Sequence, residues 1–300
     1  MVMRNEYTAE PVGPGDTIGI CAPAGSFDPD IFEAGVSVLR NMGFKVYLPD
    51  TIFSRKRYLA GDDVTRAKTI NSLYADPQVD AVICARGGYG SMRMLPYLDW
   101  DTLRANPKPF VGFSDVTAIL VRMAEQSLPG VIHGPVVTSL ARATERTREF
   151  LAAALAGKGN RIEINAPVVL KKGRGSGILS GGNLATLSHL VGTRYQPSFQ
   201  NRLFFMEDTA EPPYKIDRML TQLKMAGCFE GVKGVIVGAL EKCKPLEMVH
   251  EIVSEAFDAY DVPAMAGIDA GHGTDNLSLV FGAAAEMDTE AGTLYWTGRR

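Results

Sequence analysis

The first half of the chain alternates short apolar runs with amphipathic stretches of helical length. The apolar runs lie at residues 17–22, 45–48, 81–85 and 109–113, and the helical patterns lie at 29–42, 62–74 and 115–126. Strands that alternate with helices pack as a parallel sheet, because each helix carries the chain back to the edge where the next strand begins. The sequence therefore predicts an α/β fold for this half, with ligand-binding loops at the carboxyl ends of the strands.

The second half has a different pattern. With 300 residues, the chain is long enough for two domains. A polar, glycine-rich stretch at 158–177, which contains the run KKGRGSG, follows a predicted helix at 144–156 and interrupts the alternation. Beyond it come the strand-like runs RLFFME, GVIVGAL and AMAGID, helical patterns at 214–225 and 246–260, and a predicted closing hairpin at 279–296. We expect an N-terminal α/β domain over 1–157, a linker over 158–177 and a smaller mixed domain over 178–300.

Charge and composition exclude several classes of partner. The net charge is −3, and acidic and basic residues are mixed along the chain, which favours neither nucleic acid nor a membrane surface. The N-terminus MVMRNEYTAEPVGPGDT has no apolar signal region, so we expect a cytoplasmic protein with a small-molecule substrate. The four cysteines are scattered and form no C-x-x-C pair, so we expect reduced thiols and no metal or other cofactor.

A serine lies between an apolar strand and a helix in the tetrapeptide GFSD, residues 112–115. A sharp strand-to-helix turn exposes a serine hydroxyl, and the free N–H groups of the helix N-terminus can bind an oxyanion. We therefore interpret Ser114 as a candidate nucleophile and the Asp115 N–H as the first candidate for the oxyanion hole. The alternative is that Ser114 only caps the helix, which is a frequent role of serine.

A serine nucleophile needs a base, and the chain has four histidines. His189 and His250 fall inside predicted helices. His133 ends a strand in GVIHGPV, where a structural histidine bonded to the backbone is the better interpretation. His272 lies in DAGHGTDN between two glycines, directly after an apolar run, so the ring can be aimed from a sharp loop. His272 is the favoured base, and a purely structural turn is the alternative.

The third member of such a site is an acid that orients the imidazole. Glu207 follows the apolar run at 203–206 directly, at a predicted strand end. Asp208, Glu211 and Asp217 lie further along, toward or within the next helix, where capping or ion pairing explains them. Glu207 is therefore the favoured acid, although a charge at a helix N-terminus is an alternative role for it.

The glycine-rich loop ARGGYGS follows another apolar run. It has neither the lysine of a P-loop nor the G-x-G-x-x-G pattern of dinucleotide sites, which argues against nucleotide binding. Glycines also let the backbone approach a peptide, and an arginine binds a carboxylate. We interpret Arg86, with the N–H groups of Gly87 and Gly88, as the anchor for a substrate carboxylate, and the Gly88 N–H as a second oxyanion-hole candidate.

Seven ordered segments resemble one family. They are PAGS, CARGGYGSMRMLPYLD, KPFVGFSDVTAIL, HGP, GILSGGNLATLSHLVGT, FFMEDTAEPPYKIDRMLTQL and GHGTDN, and they cover almost the whole chain. The chain resembles the L,D-carboxypeptidase family of serine peptidases, the muramoyltetrapeptide carboxypeptidases. The resemblance implies a nucleophile at Ser114, an acid at Glu207 and a base at His272. One departure is the segment LVFG at 279–282, where the family commonly has an L-P-x-G type segment.

The resemblance also implies a fold and an activity. The fold is an N-terminal α/β domain resembling class I glutamine amidotransferases, with a smaller C-terminal domain rich in β-structure and the site between them. The activity is release of the C-terminal D-alanine of a murein tetrapeptide in cell-wall recycling, by a homodimer without cofactor. Two alternatives remain open: the microcin-immunity branch of the family, which cleaves acyl-sulfamoyl adenylates, and a non-enzymatic peptide- or sugar-binding module. The short connection 192–203 favours the murein substrate, since it leaves little room for a nucleobase-stacking loop.

Overall fold

The computed structural model describes residues 9–164 and 166–298. Within them, six strands form a first sheet in the order β12-β5-β4-β3-β1-β2. The strands are β1 (Thr17–Cys21), β2 (Lys45–Tyr47), β3 (Ala81–Cys84), β4 (Phe110–Gly112), β5 (Val131–His133) and β12 (Leu279–Phe281). Strands β1 to β5 are mutually parallel, and β12 runs antiparallel to β5. The predicted parallel sheet of the first half is therefore confirmed.

Helices connect the strands of the first sheet. They are α1 (Pro29–Asn41), α2 (Asp63–Ala75), α3 (Ser91–Met94), α4 (Trp100–Ala105), α5 (Thr117–Glu125), α6 (Val137–Leu140) and α7 (Glu145–Leu155). The longer ones begin where side chains satisfy free N–H groups: Asp28 caps α1, Asp62 caps α2 and Thr144 caps α7. These caps explain why the helical patterns in the sequence start close to the observed N-termini of the helices.

A second sheet contains eight strands in the described residues, in the order β6-β14-β13-β8-β9-β10-β11-β7. They are β6 (Asn160–Glu163), β7 (Val168–Lys171), β8 (Arg174–Asn183), β9 (Arg202–Thr209), β10 (Gly234–Glu241), β11 (Ala264–Ala266), β13 (Ala284–Asp288) and β14 (Thr293–Trp296). Strands β8 to β11 are parallel. The segments that connect them contain the helices α8 (Leu184–His189), α9 (Pro213–Met225) and α10 (Leu246–Phe257). A mixed α/β fold with a β-rich C-terminal part is thus confirmed.

Two segments differ from the sequence-based expectation. The stretch 158–177, expected as a linker, carries β6, β7 and the first residues of β8. There the half-buried Gly175 and Gly177 alternate with exposed neighbours, as along one face of a strand. The hairpin expected at 279–296 is divided: β12 joins the first sheet beside β5, and only β13 and β14 pair with each other. The C-terminal segment thus supplies the edge of the N-terminal sheet.

The end of β8 joins the two sheets. Gly181 and Gly182 have φ values of +147° and +135°, and a Cβ on Gly181 would lie 1.8 Å from the Phe205 carbonyl oxygen. Only glycine allows this approach. Directly after them, the Asn183 N–H donates to Thr117 Oγ1 at the start of α5, over 3.0 Å in a buried position. The segment that carries the serine is thus fixed against the second sheet.

The described helices are all too short or too polar to span a membrane. The expectation of a cytoplasmic protein is based partly on residues 1–8, which lie outside the described residues.

Candidate active site

Three side chains from distant parts of the chain form a line of hydrogen bonds. The Nε2 atom of His272 lies 3.2 Å from Ser114 Oγ, and its Nδ1 atom lies 2.7 Å from Glu207 Oε2. The partners are 158 and 65 residues apart in sequence. Ser114 follows β4, Glu207 lies in β9, and His272 lies in the loop after β11. The structure thus brings together the serine, histidine and glutamate that the sequence singles out.

Ser114 sits in a strained turn. Its φ is +61°, a left-handed conformation that costs a non-glycine residue on the order of 1–3 kcal/mol, and a 3₁₀ turn over Ser114–Val116 follows. Gly87 lies directly against it, since a Cβ on Gly87 would come within 2.9 Å of Ser114 Cβ and 3.1 Å of its Oγ. The strained turn and the missing side chain at Gly87 leave the hydroxyl accessible beside the glycine-rich loop.

The glycine-rich loop is tied to the serine turn by Asp115. Its buried carboxylate accepts a hydrogen bond from the Ser91 N–H at 2.8 Å, at the start of α3. The Gly25 N–H donates to the Gly87 carbonyl at 3.1 Å from the other side. Arg86, Gly87 and Gly88 therefore line the same cavity as Ser114.

Arg66 is a supporting residue that sequence reasoning missed. Its guanidinium is buried, donates to the carbonyls of Pro23 and Gly90, the latter at 3.0 Å, and pairs with Asp63. It thereby joins the PAGS loop to the glycine-rich loop. The available signal was an arginine next to Ala67 on the apolar side of α2, where a charged residue needs fixed partners.

Glu207 is held in a fully buried position. Its side chain has 0% exposure, and Gly271, with φ +114°, is pressed against it: a Cβ there would lie 2.6 Å from Oε2. The Gly271 N–H donates to Asn276 Oδ1 at 2.8 Å, which fixes the loop one residue before His272. The glycine that precedes the histidine is therefore required by the carboxylate behind it.

Neighbouring acids are engaged elsewhere. Asp208 accepts hydrogen bonds from Asn183 Nδ2 at 3.1 Å and from the Ala185 N–H at 2.9 Å, and burial raises its pKa to about 6. Glu211 pairs with Lys215 at 3.2 Å. Among the acids weighed from the sequence, the described structure brings Glu207 to His272 and leaves these two with other partners.

The electrostatics favour a protonatable His272. Burial lowers its pKa, but the hydrogen bond that Nδ1–H donates to Glu207 and the negative charge of that carboxylate outweigh burial, so the pKa of His272 is raised above its usual value. The ring also packs on Phe113, with centroids 4.9 Å apart. An imidazole held in this way can accept a proton from Ser114 and keep the resulting charge beside a carboxylate.

The other histidines lie elsewhere. His189 is in α8 and His250 is in α10, outside the cavity lining. His133 is fully buried at the end of β5, and its ring packs against Phe113, Phe205 and Phe281. The role of His133 is structural, as expected. No hydrogen bond of ordinary length and angle reaches either ring nitrogen from the described residues, and aromatic packing surrounds the ring.

An open cavity of about 720 Å³ exposes the serine and histidine. Ser114 and His272 line it together with Arg86, the two glycines after it, and the segments 135–147 and 271–276. Its size is that of a site for a small molecule or a short peptide.

Comparison with known proteins identifies the family. Profiles for the LD-carboxypeptidase N-terminal and C-terminal domains match residues 18–134 and 176–287. The chain belongs to the LD-carboxypeptidase family. It is a serine-type enzyme of that family, which the sequence resemblance had predicted.

Relatives span its full length. A putative carboxypeptidase of Streptomyces coelicolor is 36% identical over 97% of this chain and 96% of its own length. The murein tetrapeptide carboxypeptidase of Pseudomonas aeruginosa is 32% identical over 93% of this chain and 94% of its own. The microcin C7 self-immunity protein of Escherichia coli is 28% identical over 330 aligned positions, covering 96% of this LD-carboxypeptidase and 95% of its own length. The crystal structure of muramoyltetrapeptide carboxypeptidase from Oxalobacter formigenes superposes with a TM-score of 0.85 at 26% identity, covering 94% and 99% of the chains.

Proposed function

We propose that this LD-carboxypeptidase releases the C-terminal D-alanine from murein tetrapeptides by an acyl-enzyme mechanism. The observation that carries the proposal is the hydrogen-bonded line from Ser114 through His272 to the buried Glu207, at the wall of a peptide-sized cavity. The sequence similarity to a murein tetrapeptide carboxypeptidase supports the choice of substrate. The proposal includes cell-wall recycling, a cytoplasmic location and a homodimer.

In the acylation step, Ser114 Oγ attacks the carbonyl carbon between the L-centre of the third residue and D-alanine. His272 Nε2 takes the hydroxyl proton and then donates it to the leaving amine of D-alanine. The N–H groups of Asp115 and Gly88 are our candidates to stabilise the tetrahedral oxyanion. Glu207 orients the ring and stabilises the imidazolium, which its contact with Nδ1 supports.

Deacylation repeats the same proton transfers with water. His272 removes a proton from the water molecule that attacks the acyl-serine, and returns it to Ser114 Oγ when the ester bond breaks. The free tripeptide acid leaves and the hydroxyl is regenerated. The scheme requires no group beyond these three side chains and the oxyanion donors.

The terminal carboxylate of the substrate defines an exopeptidase. We propose that Arg86 and the Gly87 N–H bind it, since both line the cavity next to Ser114. The Arg86 guanidinium donates to the Ser26 carbonyl, which orients its remaining N–H groups. A carboxylate anchored there leaves only the last peptide bond near Ser114.

The microcin-immunity activity is the second candidate, favoured by the 28% identity to a protein of that name. That alignment extends over 330 positions, more than the 300 residues of this chain, so the immunity protein contains insertions that this chain does not have. The alignment with the murein tetrapeptide carboxypeptidase takes 296 positions at higher identity. The murein substrate is therefore our first choice.

Mass spectrometry of four substrates tests the proposal. We expect release of D-alanine from the free tetrapeptide, with little cleavage of the pentapeptide ending in D-Ala-D-Ala or of the tetrapeptide amide. In the pentapeptide the terminal carboxylate lies one residue further from the L,D bond, and in the amide the carboxylate charge is absent. Equal cleavage of all three would exclude carboxylate-anchored action. Cleavage of none, with hydrolysis of a peptidyl sulfamoyl adenylate, would assign the microcin-immunity activity.

A fluorophosphonate probe tests the non-enzymatic alternative. An activated serine is labelled in the folded protein, whereas a helix cap is not. We expect labelling at Ser114 in the wild type and none in Ser114→Ala. An unlabelled wild type that still binds the tetrapeptide would indicate a binding module. Light scattering during gel filtration would test the homodimer separately.

A further inference from the structure

The cavity wall is positively charged on two sides. Arg86 follows β3, and Arg142 lies in the turn after α6. No aspartate or glutamate occurs among the described residues that line this cavity. Two arginines without an acidic partner favour a ligand with two separate negative charges.

Arg142 has a free guanidinium. In the part of the chain that the structure describes, its side chain makes no hydrogen bond or ion pair, and it is exposed to the cavity. Four residues along, Arg146 is by contrast paired with Asp269 at 2.7 Å and Asp275 at 3.5 Å. The backbone of Arg142 is fixed, because its N–H donates to the Ser139 carbonyl at 3.2 Å. The guanidinium is thus available to a ligand on a backbone that is held in place.

We propose that Arg142 binds a second carboxylate of the substrate, on the acyl side of the cleaved bond. This inference rests on the proposed murein peptidase function, in which Arg86 already accounts for the terminal carboxylate. The third residue, when it is meso-diaminopimelate, carries a distal carboxylate beside an ammonium group, and the cavity lining offers no acid to pair with that ammonium. The γ-linked D-glutamate before it carries an isolated α-carboxylate. The D-glutamate α-carboxylate is therefore the group that we assign to Arg142, because it is the isolated negative charge on the acyl side.

A planar guanidinium distinguishes a carboxylate from its amide. Arginine donates two parallel N–H groups to a carboxylate, whereas a primary amide offers one acceptor and repels the guanidinium with its own N–H groups. The enzyme should thus prefer murein peptides with D-glutamate over those in which this residue is amidated to D-isoglutamine. Because the contact lies away from the reacting atoms, it should be equal in the ground state and the transition state and affect KM more than kcat.

The test compares two tetrapeptides that differ only in this group, with D-glutamate or D-isoglutamine at the second position. For the wild type, we expect kcat/KM for the D-glutamate peptide to be about tenfold higher, mostly through a lower KM. Arg142→Gln should lose about tenfold on the D-glutamate peptide and almost nothing on the D-isoglutamine peptide. Arg142→Lys should retain part of the preference. The matched control is Arg148→Gln in α7, outside the cavity lining, which removes the same charge and should keep the wild-type ratio.

The outcomes separate this inference from the proposed function. Equal kcat/KM for both peptides in the wild type, or the same loss on both in Arg142→Gln, would overturn the assignment while leaving the peptidase intact. A preference that Arg148→Gln also abolishes would overturn it as well, because a general field effect would then explain the data. Failure of the wild type to hydrolyse either tetrapeptide would overturn the proposed function and this assignment together.

Discussion

The two sides of the candidate site are built in different ways. On the serine side, Ser114 is positioned locally by a turn after β4 with φ +61°. On the histidine side, Glu207 and His272 come from segments 65 residues apart, and the fully buried Glu207 meets a partly exposed His272. The first arrangement stores backbone strain, and the second places a carboxylate away from water. Either cost must be met by the surrounding packing.

The serine side and the histidine side of the site therefore depend on different contacts. The serine turn is held by the hydrogen bond to the Asp115 carboxylate and by the close approach of Gly87. The histidine loop is held by the packing of Gly271 against Glu207 and by the hydrogen bond to the Asn276 side chain. Variants on the two sides should therefore fail for different reasons, which the following predictions test.

The largest effect is expected from removing the reacting groups on either side. Ser114→Ala and His272→Ala should each reduce kcat by on the order of 10⁵–10⁶-fold, since triad members act as a unit. The double variant should be only a few-fold slower than either single one. Steady-state kinetics with circular dichroism as the folding control checks this. Losses that multiply in the double variant would show that the serine and histidine act independently.

Glu207→Gln should have a smaller effect, a loss in kcat of roughly 10³–10⁴-fold, because an orienting acid is partly replaceable. It should also move the acid limb of kcat/KM. Glu207 raises the pKa of His272 against the lowering effect of burial, so a neutral glutamine should let the pKa fall. The base must be unprotonated, and the wild-type rate should therefore decline at higher pH than that of the variant.

A matched control for this variant is Glu211→Gln, which removes a nearby acid that pairs with Lys215. It should keep the wild-type rate and acid limb. A Glu207→Gln enzyme with the wild-type rate would show that another acid orients His272.

The strength of local signals explains how much of this was predictable. The parallel strands of the first sheet were visible as apolar runs, and the Ser114 turn was visible between β4 and the helix that follows. The pairing of Glu207 with His272 depends on strand order, which periodicity does not encode. The sequence favoured each of them singly, from its position at a strand end or in a glycine-flanked loop, and the family resemblance agreed. Strand β8 was missed because its glycine-rich start lacks the branched side chains typical of strands.

The partners of two arginines were also outside the reach of the sequence. Arg66 is buried between two loops, and Arg142 lacks an ion-pair partner in the described residues. Both properties arise from tertiary packing. Likewise, β12 joins the first sheet although it belongs to the end of the chain, because its partner β5 offers an open edge next to it.

The close approach on the serine side gives a sharper test. Gly87 has no left-handed φ, so alanine is compatible with its backbone, but the new Cβ would lie 2.9 Å from Ser114 Cβ. Gly87→Ala should displace the serine and lower kcat by about 100-fold, with a change in the free energy of unfolding below about 1 kcal/mol. Gly13→Ala, where nothing lies within 4 Å, is the control and should retain activity. Full activity in Gly87→Ala would mean that the turn relaxes easily.

His133 affects stability and not turnover, and its ring touches both sides of the site. It packs against Phe113 next to the serine and against Phe205, two residues before the glutamate. Burial lowers its pKa to about 4, whereas an unfolded chain has a histidine pKa of about 6.5. Between these values the unfolded state binds a proton that the folded state does not. The free energy of unfolding should therefore decrease as the pH falls from about 6.5 to 4, by up to roughly 3 kcal/mol.

Replacing this ring with an apolar one isolates its contribution. Asp208, whose pKa burial raises to about 6, contributes a slope of opposite sign, so the wild-type curve is a sum of both groups. His133→Phe suits the aromatic surroundings and should remove the loss of stability toward low pH, while the control His189→Gln, at the exposed last residue of the mostly buried α8, should leave it unchanged. Urea unfolding between pH 4 and 7.5 measures the difference. An identical slope in His133→Phe and the wild type would mean that protonation of the His133 ring does not cause the loss of stability toward low pH.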